Sequence, residues 1–138
     1  MGKKFWLAVV VFFVVAMATD FVLHGLMLAG DYKPLIPNVM RTPEDSGQYF
    51  PLMILAHVFI AVAFVAIYQR GVEPERPWIG QGVRFGLLVA FLTVVPTYMI
   101  YYVVQPLPAM LVVKQIVFDL VRTTGLGLLV AWLYRVKT

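Results

Sequence analysis

Apolar residues come in four long runs, and polar residues fall between the runs or at a few positions inside them. Broken at proline, glycine and charge clusters, the runs cover residues 5–29, 51–68, 82–104 and 107–134. Each has roughly the 17–25 residues or more that a helix needs to cross a hydrocarbon core. Between the first two runs, Thr42-Pro43-Glu44-Asp45 places a hydroxyl at an N-cap, a proline at the first helical position and acids in the first turn. That order predicts a short interfacial helix, interrupted before Pro51. Gly71 follows Tyr68-Gln69-Arg70 where a terminating glycine belongs, and Pro74 and Pro77 make residues 71–80 a tight loop. The predicted fold is all-α: a four-transmembrane-helix bundle forming one domain over residues 1–138, with no tandem repeat, low-complexity tract or soluble domain.

Composition places that bundle in a bilayer. With 62% hydrophobic and 13% charged residues and a mean hydropathy of +0.87, the chain has too little polar surface to be a soluble domain. The absence of cysteine excludes disulfides, thiolate nucleophiles, iron–sulfur clusters and Cys-type zinc sites. The net charge of +4 is spread along the flanks of the apolar runs instead of forming a patch, which speaks for topology and against nucleic acid as a partner. Lys3, Lys4, Arg70, Arg76, Arg84, Arg135 and Lys137 belong to one face; Lys33 and Arg41 stand on the other, offset by Asp31, Glu44 and Asp45. Because basic residues are retained on the cytoplasmic side, both termini are expected in the cytoplasm and the 30–50 loop outside. Lys3, Lys4 and Ala16-Met17-Ala18 imitate a secretory signal and its cleavage site, but apolar residues continue to Ala29, so an uncleaved first span is expected.

Six charged or imidazole residues lie well inside these runs, away from their ends: Asp20, His24, His57, Lys114, Asp119 and Arg122. Intramembrane charge is costly, so each requires a partner or a function. At a rise of roughly 1.5 Å per residue, His24, His57 and Lys114 lie roughly 7–10 Å below the outer ends, Asp20 and Asp119 roughly 13–15 Å, and Arg122 near the midplane. Asp20 and His24 share a face at i, i+4, and Gln115, Asp119 and Arg122 share another at i, i+4, i+7. The third run carries a small and polar stripe at Gly82, Gly86, Ala90, Thr93, Thr97 and Tyr101, with Pro96 expected to kink the helix. Gly82-x-x-x-Gly86 is also a helix-packing motif. Tyr98, Tyr101 and Tyr102 read as an interfacial aromatic belt.

Two uses of the ionisable residues stand side by side. Asp20 and Asp119 sum to zero against Lys114 and Arg122, as in an intramembrane polar network of Asp20, Lys114, Gln115, Asp119 and Arg122 that locks helices together. Alternatively His24 and His57, at similar depth on adjacent antiparallel helices, present the imidazoles that an axially ligated haem or chlorophyll requires. No H-E-x-x-H motif supports zinc hydrolysis, no metal site is indicated, and the only serine, Ser46, lies in the loop, so no catalytic residue is assigned.

Leu23-His24-Gly25, Gly82-Val83-Arg84-Phe85-Gly86-Leu87-Leu88 and Tyr102-Val103-Val104-Gln105-Pro106-Leu107-Pro108 resemble a family of small uncharacterised bacterial four-helix integral membrane proteins. The resemblance implies a multi-pass protein of the bacterial inner membrane and carries over no catalytic or cofactor residue. By elimination, the expected function is that of a non-catalytic accessory or structural subunit of a larger energy-transducing complex, respiratory or photosynthetic, with other membrane subunits and lipid as partners and no cofactor. The competing class is a ligand-binding or proton-relay protein that uses the outer-half polar residues as a pocket for a quinone, a tetrapyrrole or a small solute.

Overall fold

The computed structural model describes residues 2–135 and contains only helices among them. Helix α1 (Lys3–Asp20) continues into a π-helical stretch, Phe21–Met27. A short α2 (Ala29–Tyr32), a 3₁₀ turn (Lys33–Leu35) and α3 (Pro43–Gln48) make up the long connection. Three long helices follow: α4 (Phe50–Gly71), α5 (Trp78–Val104) and α6 (Ala109–Tyr134). Four segments, Lys3–Met27 and the three long helices, are long and apolar enough to cross a bilayer, so this is a membrane protein with four transmembrane helices. An even number of crossings brings both ends of the described chain to one end of the bundle, here the terminal end. The connection through α2 and α3 marks the loop end. Lys137, one of the basic residues counted above, lies outside the described residues.

The observed boundaries differ from the expected ones for local reasons. At the end of α4 the helix runs through Gly71, because Gln69 and Arg70 are exposed and Arg70 Nη1 donates to the Ala66 carbonyl at 3.3 Å. Helix α5 starts at Trp78, four residues before Gly82, because buried Gln81 satisfies the loop backbone. Its Oε1 accepts from the Glu73 N–H at 2.7 Å, and its Nε2 donates to the carbonyls of Glu73 at 2.8 Å and Arg76 at 3.0 Å. The first span stops at Met27, where the Leu28 N–H closes a wide turn onto the Leu23 carbonyl at 2.9 Å. Pro108 delays α6 to Ala109. Thr42 caps α3 as expected, its Oγ1 accepting from the Asp45 N–H at 3.2 Å. Pro96 lies inside α5, which continues to Val104.

The helices pack as two hairpins, α1 on α4 and α5 on α6, joined through α6. Small residues set the α5–α6 contact. A Cβ on Gly86 would stand 2.6 Å from Thr124 Cα and 2.8 Å from the Thr123 carbonyl oxygen. One on Gly82 would stand 2.8 Å from Ala131 Cβ and 2.9 Å from Leu128 Cα. Only backbone-to-backbone approach fits, with Ala90 buried on the same ridge. Gly127 supplies the opposing surface against Gly82 and Gly86.

The interior is apolar at both ends and polar between. Toward the terminal end, Phe5, Ala8, Phe12 and Ala16 pack with Ala61, Phe64, Val65, Leu126 and Val130. A smaller group, Leu23, Leu28, Leu35 and Leu111, closes the loop end. Helices α4 and α5 meet near the terminal end, where the Phe85 ring stands edge-on to Phe64 at 4.7 Å and Tyr68 at 5.2 Å. Nearer the loop end the two helices part, leaving a sideways opening into the bundle.

Candidate functional site

Polar side chains from all four spans converge at the floor of that opening. Asp119 of α6 is the centre and is only 4% exposed. Its Oδ2 accepts from Tyr98 of α5 at 2.5 Å and faces His24 Nε2 at 3.1 Å, while its Oδ1 accepts from Arg122 Nη1 at 3.2 Å. Arg122 reaches across to α1, donating from Nε to Thr19 Oγ1 at 3.0 Å and from Nη2 to the Ala16 carbonyl at 2.9 Å, with Asp20 Oδ1 at 3.5 Å. Asp20 also stands 3.9 Å from His24 Nε2 through Oδ1 and 3.9 Å from His57 Nε2 through Oδ2.

Both imidazoles are held from behind. His57 Nδ1 lies 2.9 Å from the Met53 carbonyl, one turn earlier on α4, and a carbonyl accepts only from N–H. The Nδ1 of His57 therefore carries its proton, and in the neutral ring the Nε2 lone pair faces Asp20. His24 Nδ1 lies 2.5 Å from the Tyr32 hydroxyl, which takes a hydrogen bond from Gln115 Nε2 at 3.1 Å. Burial pushes the Tyr32 hydroxyl above the ordinary phenol range, so it stays protonated. The π-helical stretch carries His24 between Tyr32 and Asp119, an irregularity often found where a helix must re-aim a side chain.

The residues expected in the polar network separate into two groups. Asp20, Asp119 and Arg122 do come together, and Gln115 joins them at one remove through Tyr32. Lys114 does not join: its Nζ pairs with Asp31 of α2 at 2.8 and 3.1 Å. It lies more than a turn nearer the loop end than Asp119, and its flexible stem carries the ammonium to a half-exposed carboxylate instead of into the interior. The charge balance changes accordingly. Two carboxylates face one guanidinium, so with neutral imidazoles the site carries one excess negative charge.

Tyr32 and Thr19 were missing from the residues singled out by sequence, and Tyr98, expected in the interfacial belt, belongs to the site instead. Tyr98 enters the interior while Tyr101 and Tyr102 are exposed, because it continues the four-residue ridge Gly82, Gly86, Ala90, Val94 toward α6. That spacing was the available signal. Of the expected stripe, Thr93 and Thr97 are exposed and line the opening.

The opening is a cavity of about 360 Å³, walled by Phe12, Ile60, Phe64, Val89 and Val94, with the carboxylates and imidazoles at its base. Toward the terminal end it stops against the apolar core. The chain matches no protein-family model, no curated protein and no solved structure. Fold and site together define a four-span membrane protein with an acceptor-rich ionisable cluster enclosed by its helices.

Proposed function

We propose that this protein is a multi-pass protein of the bacterial inner membrane that binds a small cationic or hydrogen-bond-donating ligand in the Asp20–His24–His57–Asp119 cluster, without carrying out a reaction on it. The observation that carries the reading is the pair His57 Nε2 and Asp20 Oδ2 facing each other at 3.9 Å, two acceptors when the imidazole is neutral. The Met53 carbonyl fixes the tautomer that makes His57 an acceptor there. Two acceptors at this separation are stabilised by a donor or cation placed between them, and the excess negative charge favours the same kind of guest. Apolar walls open between α4 and α5 admit a molecule from the bilayer, and the polar floor receives its head. The apolar terminal half favours holding over passage, because no chain of polar groups among the described residues continues through it.

The test uses protein purified in mild detergent, with tetraphenylphosphonium as a lipophilic cation and a short-chain quinol as a donor-headed probe, each titrated by calorimetry. One of the two should bind stoichiometrically, and Asp20→Asn and His57→Ala should each weaken it at least tenfold. Equal heats from wild-type and variant proteins, or none from either probe, would refute the reading.

A second reading, an accessory subunit of a larger membrane complex, draws on α5. That helix packs mainly on α6 and turns Leu88, Leu92, Met99 and Val103 outward along one face. A partner helix seated there should hold the protein in an assembly larger than 15.6 kDa in gentle detergents. A stable monomer with nothing co-purifying would count against it.

A further inference from the structure

Three of the four acceptor residues share the arrangement of a metal site, and the fourth, His57, faces one of them, Asp20, from α4. We infer that Asp20, His24, His57 and Asp119 bind one divalent transition-metal ion at the floor of the crevice, an inference that rests on the cluster being a binding site and names its occupant.

Spacing is the first argument. Asp20, His24 and Asp119 each offer one ligand atom, all within 4.8 Å of one another. Ligands about 2.0–2.1 Å from a tetrahedral ion stand about 3.3 Å apart. His24 Nε2 to Asp119 Oδ2 at 3.1 Å already matches that separation, and Asp20 Oδ1 to His24 Nε2 at 3.9 Å needs to close by about 0.6 Å. His57 stands outside that three-residue group, facing the other Asp20 oxygen, Oδ2, at 3.9 Å, and completes the set by moving toward the ion.

The outer contacts are the second, independent argument. Imidazole ligands are oriented by a partner on the other ring nitrogen, commonly a carbonyl, a carboxylate or a water. His57 has the Met53 carbonyl on Nδ1, and His24 has the Tyr32 hydroxyl, itself fixed by Gln115. In the bound form His24 carries its proton on Nδ1 and donates it to the Tyr32 oxygen, leaving Nε2 for the ion. Arg122 orients the carboxylates: its guanidinium takes Oδ1 of Asp119 and approaches Oδ1 of Asp20, so that Oδ2 of Asp119, which also accepts from Tyr98, faces His24 and Oδ2 of Asp20 faces His57. A network serving only to neutralise charge has no need to turn both Nε2 atoms onto one carboxylate, Asp20.

Donor type sets the metal. Two imidazole nitrogens disfavour magnesium and calcium, which take oxygen ligands, and the lack of thiolate disfavours copper(I). Zinc and cobalt(II) suit two nitrogens and two oxygens, and the excess negative charge attracts either.

The experiment is zinc and cobalt(II) titration of the chelator-stripped full chain in detergent, read by metal content and by the cobalt ligand-field spectrum. The expected result is one ion per chain with the intense bands of four-coordinate cobalt. His57→Ala and His24→Ala should weaken binding at least about 100-fold, and Tyr32→Phe about 10–100-fold as an outer contact. Lys114→Gln, which breaks only the Asp31 pair, should bind within about twofold of wild type, and circular dichroism on each variant separates lost binding from lost folding. The wild-type spectrum keeps the test decisive if a variant misfolds: only weak six-coordinate bands, or no stoichiometric ion, overturns the inference. Retained affinity in folded His24→Ala and His57→Ala overturns it as well. If tetraphenylphosphonium or the quinol binds while neither metal does, the metal falls and the binding-site reading stands; if no probe binds, both fall.

Discussion

Removing the two members of the Asp119–Arg122 pair should have unequal effects, because the cluster holds two carboxylates and one guanidinium. Arg122→Gln deletes the only Lys or Arg paired with Asp20 and Asp119 among the described residues, since Lys114 is committed to Asp31. It also removes the donors to Thr19 Oγ1 at 3.0 Å and the Ala16 carbonyl at 2.9 Å, and takes the site from one excess negative charge to two. Breaking a buried pair in this direction costs about 3–5 kcal/mol. Asp119→Asn keeps the shape and one acceptor oxygen, leaves Arg122 with Asp20, Thr19 and Ala16, and brings the site to neutrality. Its cost is the charge-assisted part of the bonds to Arg122, His24 and Tyr98, about 1.5–3 kcal/mol. The double variant should fall short of the sum by about 1–3 kcal/mol, because each single change already removes the shared contact. Equilibrium unfolding from mild detergent into dodecyl sulfate, followed by far-ultraviolet circular dichroism, measures all three. The reasoning fails if Asp119→Asn proves as costly as Arg122→Gln, or if the two effects add within about 0.5 kcal/mol.

Three further outcomes are expected. Gly86→Ala should cost about 1–3 kcal/mol or more, since its Cβ would meet Thr124 Cα at 2.6 Å, whereas Gly125→Ala, with nothing within 4 Å, should be neutral or slightly stabilising; the same unfolding assay ranks them. Reporter fusions at Asn38 should read periplasm and fusions between Val72 and Pro77 cytoplasm, and an inverted pattern would reverse the proposed orientation. The hydrogen bond from Arg84 and the nearby Arg76 hold the Glu73 carboxyl below the ordinary range. Its folded-state pKa is depressed, so its small stabilisation of the 72–77 loop is present above the unfolded value and lost as pH falls through the folded one; Arg84→Gln should raise the Glu73 midpoint in a carboxyl-carbon NMR titration.

What the sequence determines by itself is the set of properties that depend on composition and period. Four apolar runs of spanning length require helices in a bilayer, because backbone groups there have no other way to be satisfied. The Thr42 cap and the Gly82–Gly86–Ala90 ridge were legible for the same reason, since capping chemistry and four-residue spacing act within one helix. Helix ends moved by up to four residues because side-chain contacts across a loop, such as Gln81 filling the Glu73–Arg76 loop, decided them. The intramembrane charges were visible, but their partners were not. Depth and sign alone offer Lys114 and Arg122 equally to both aspartates; the actual loop path brings Asp31 to Lys114 and leaves Arg122 alone between two carboxylates. Tyr98 and Tyr101 are both tyrosines near the end of one helix; the four-residue spacing from Gly82 marks Tyr98 as facing α6, but that it meets Asp119 there follows from the packing of α5 on α6. The acceptor-rich site is therefore a product of tertiary packing, because its charge balance and the direction of each imidazole depend on contacts between helices that no single helix encodes.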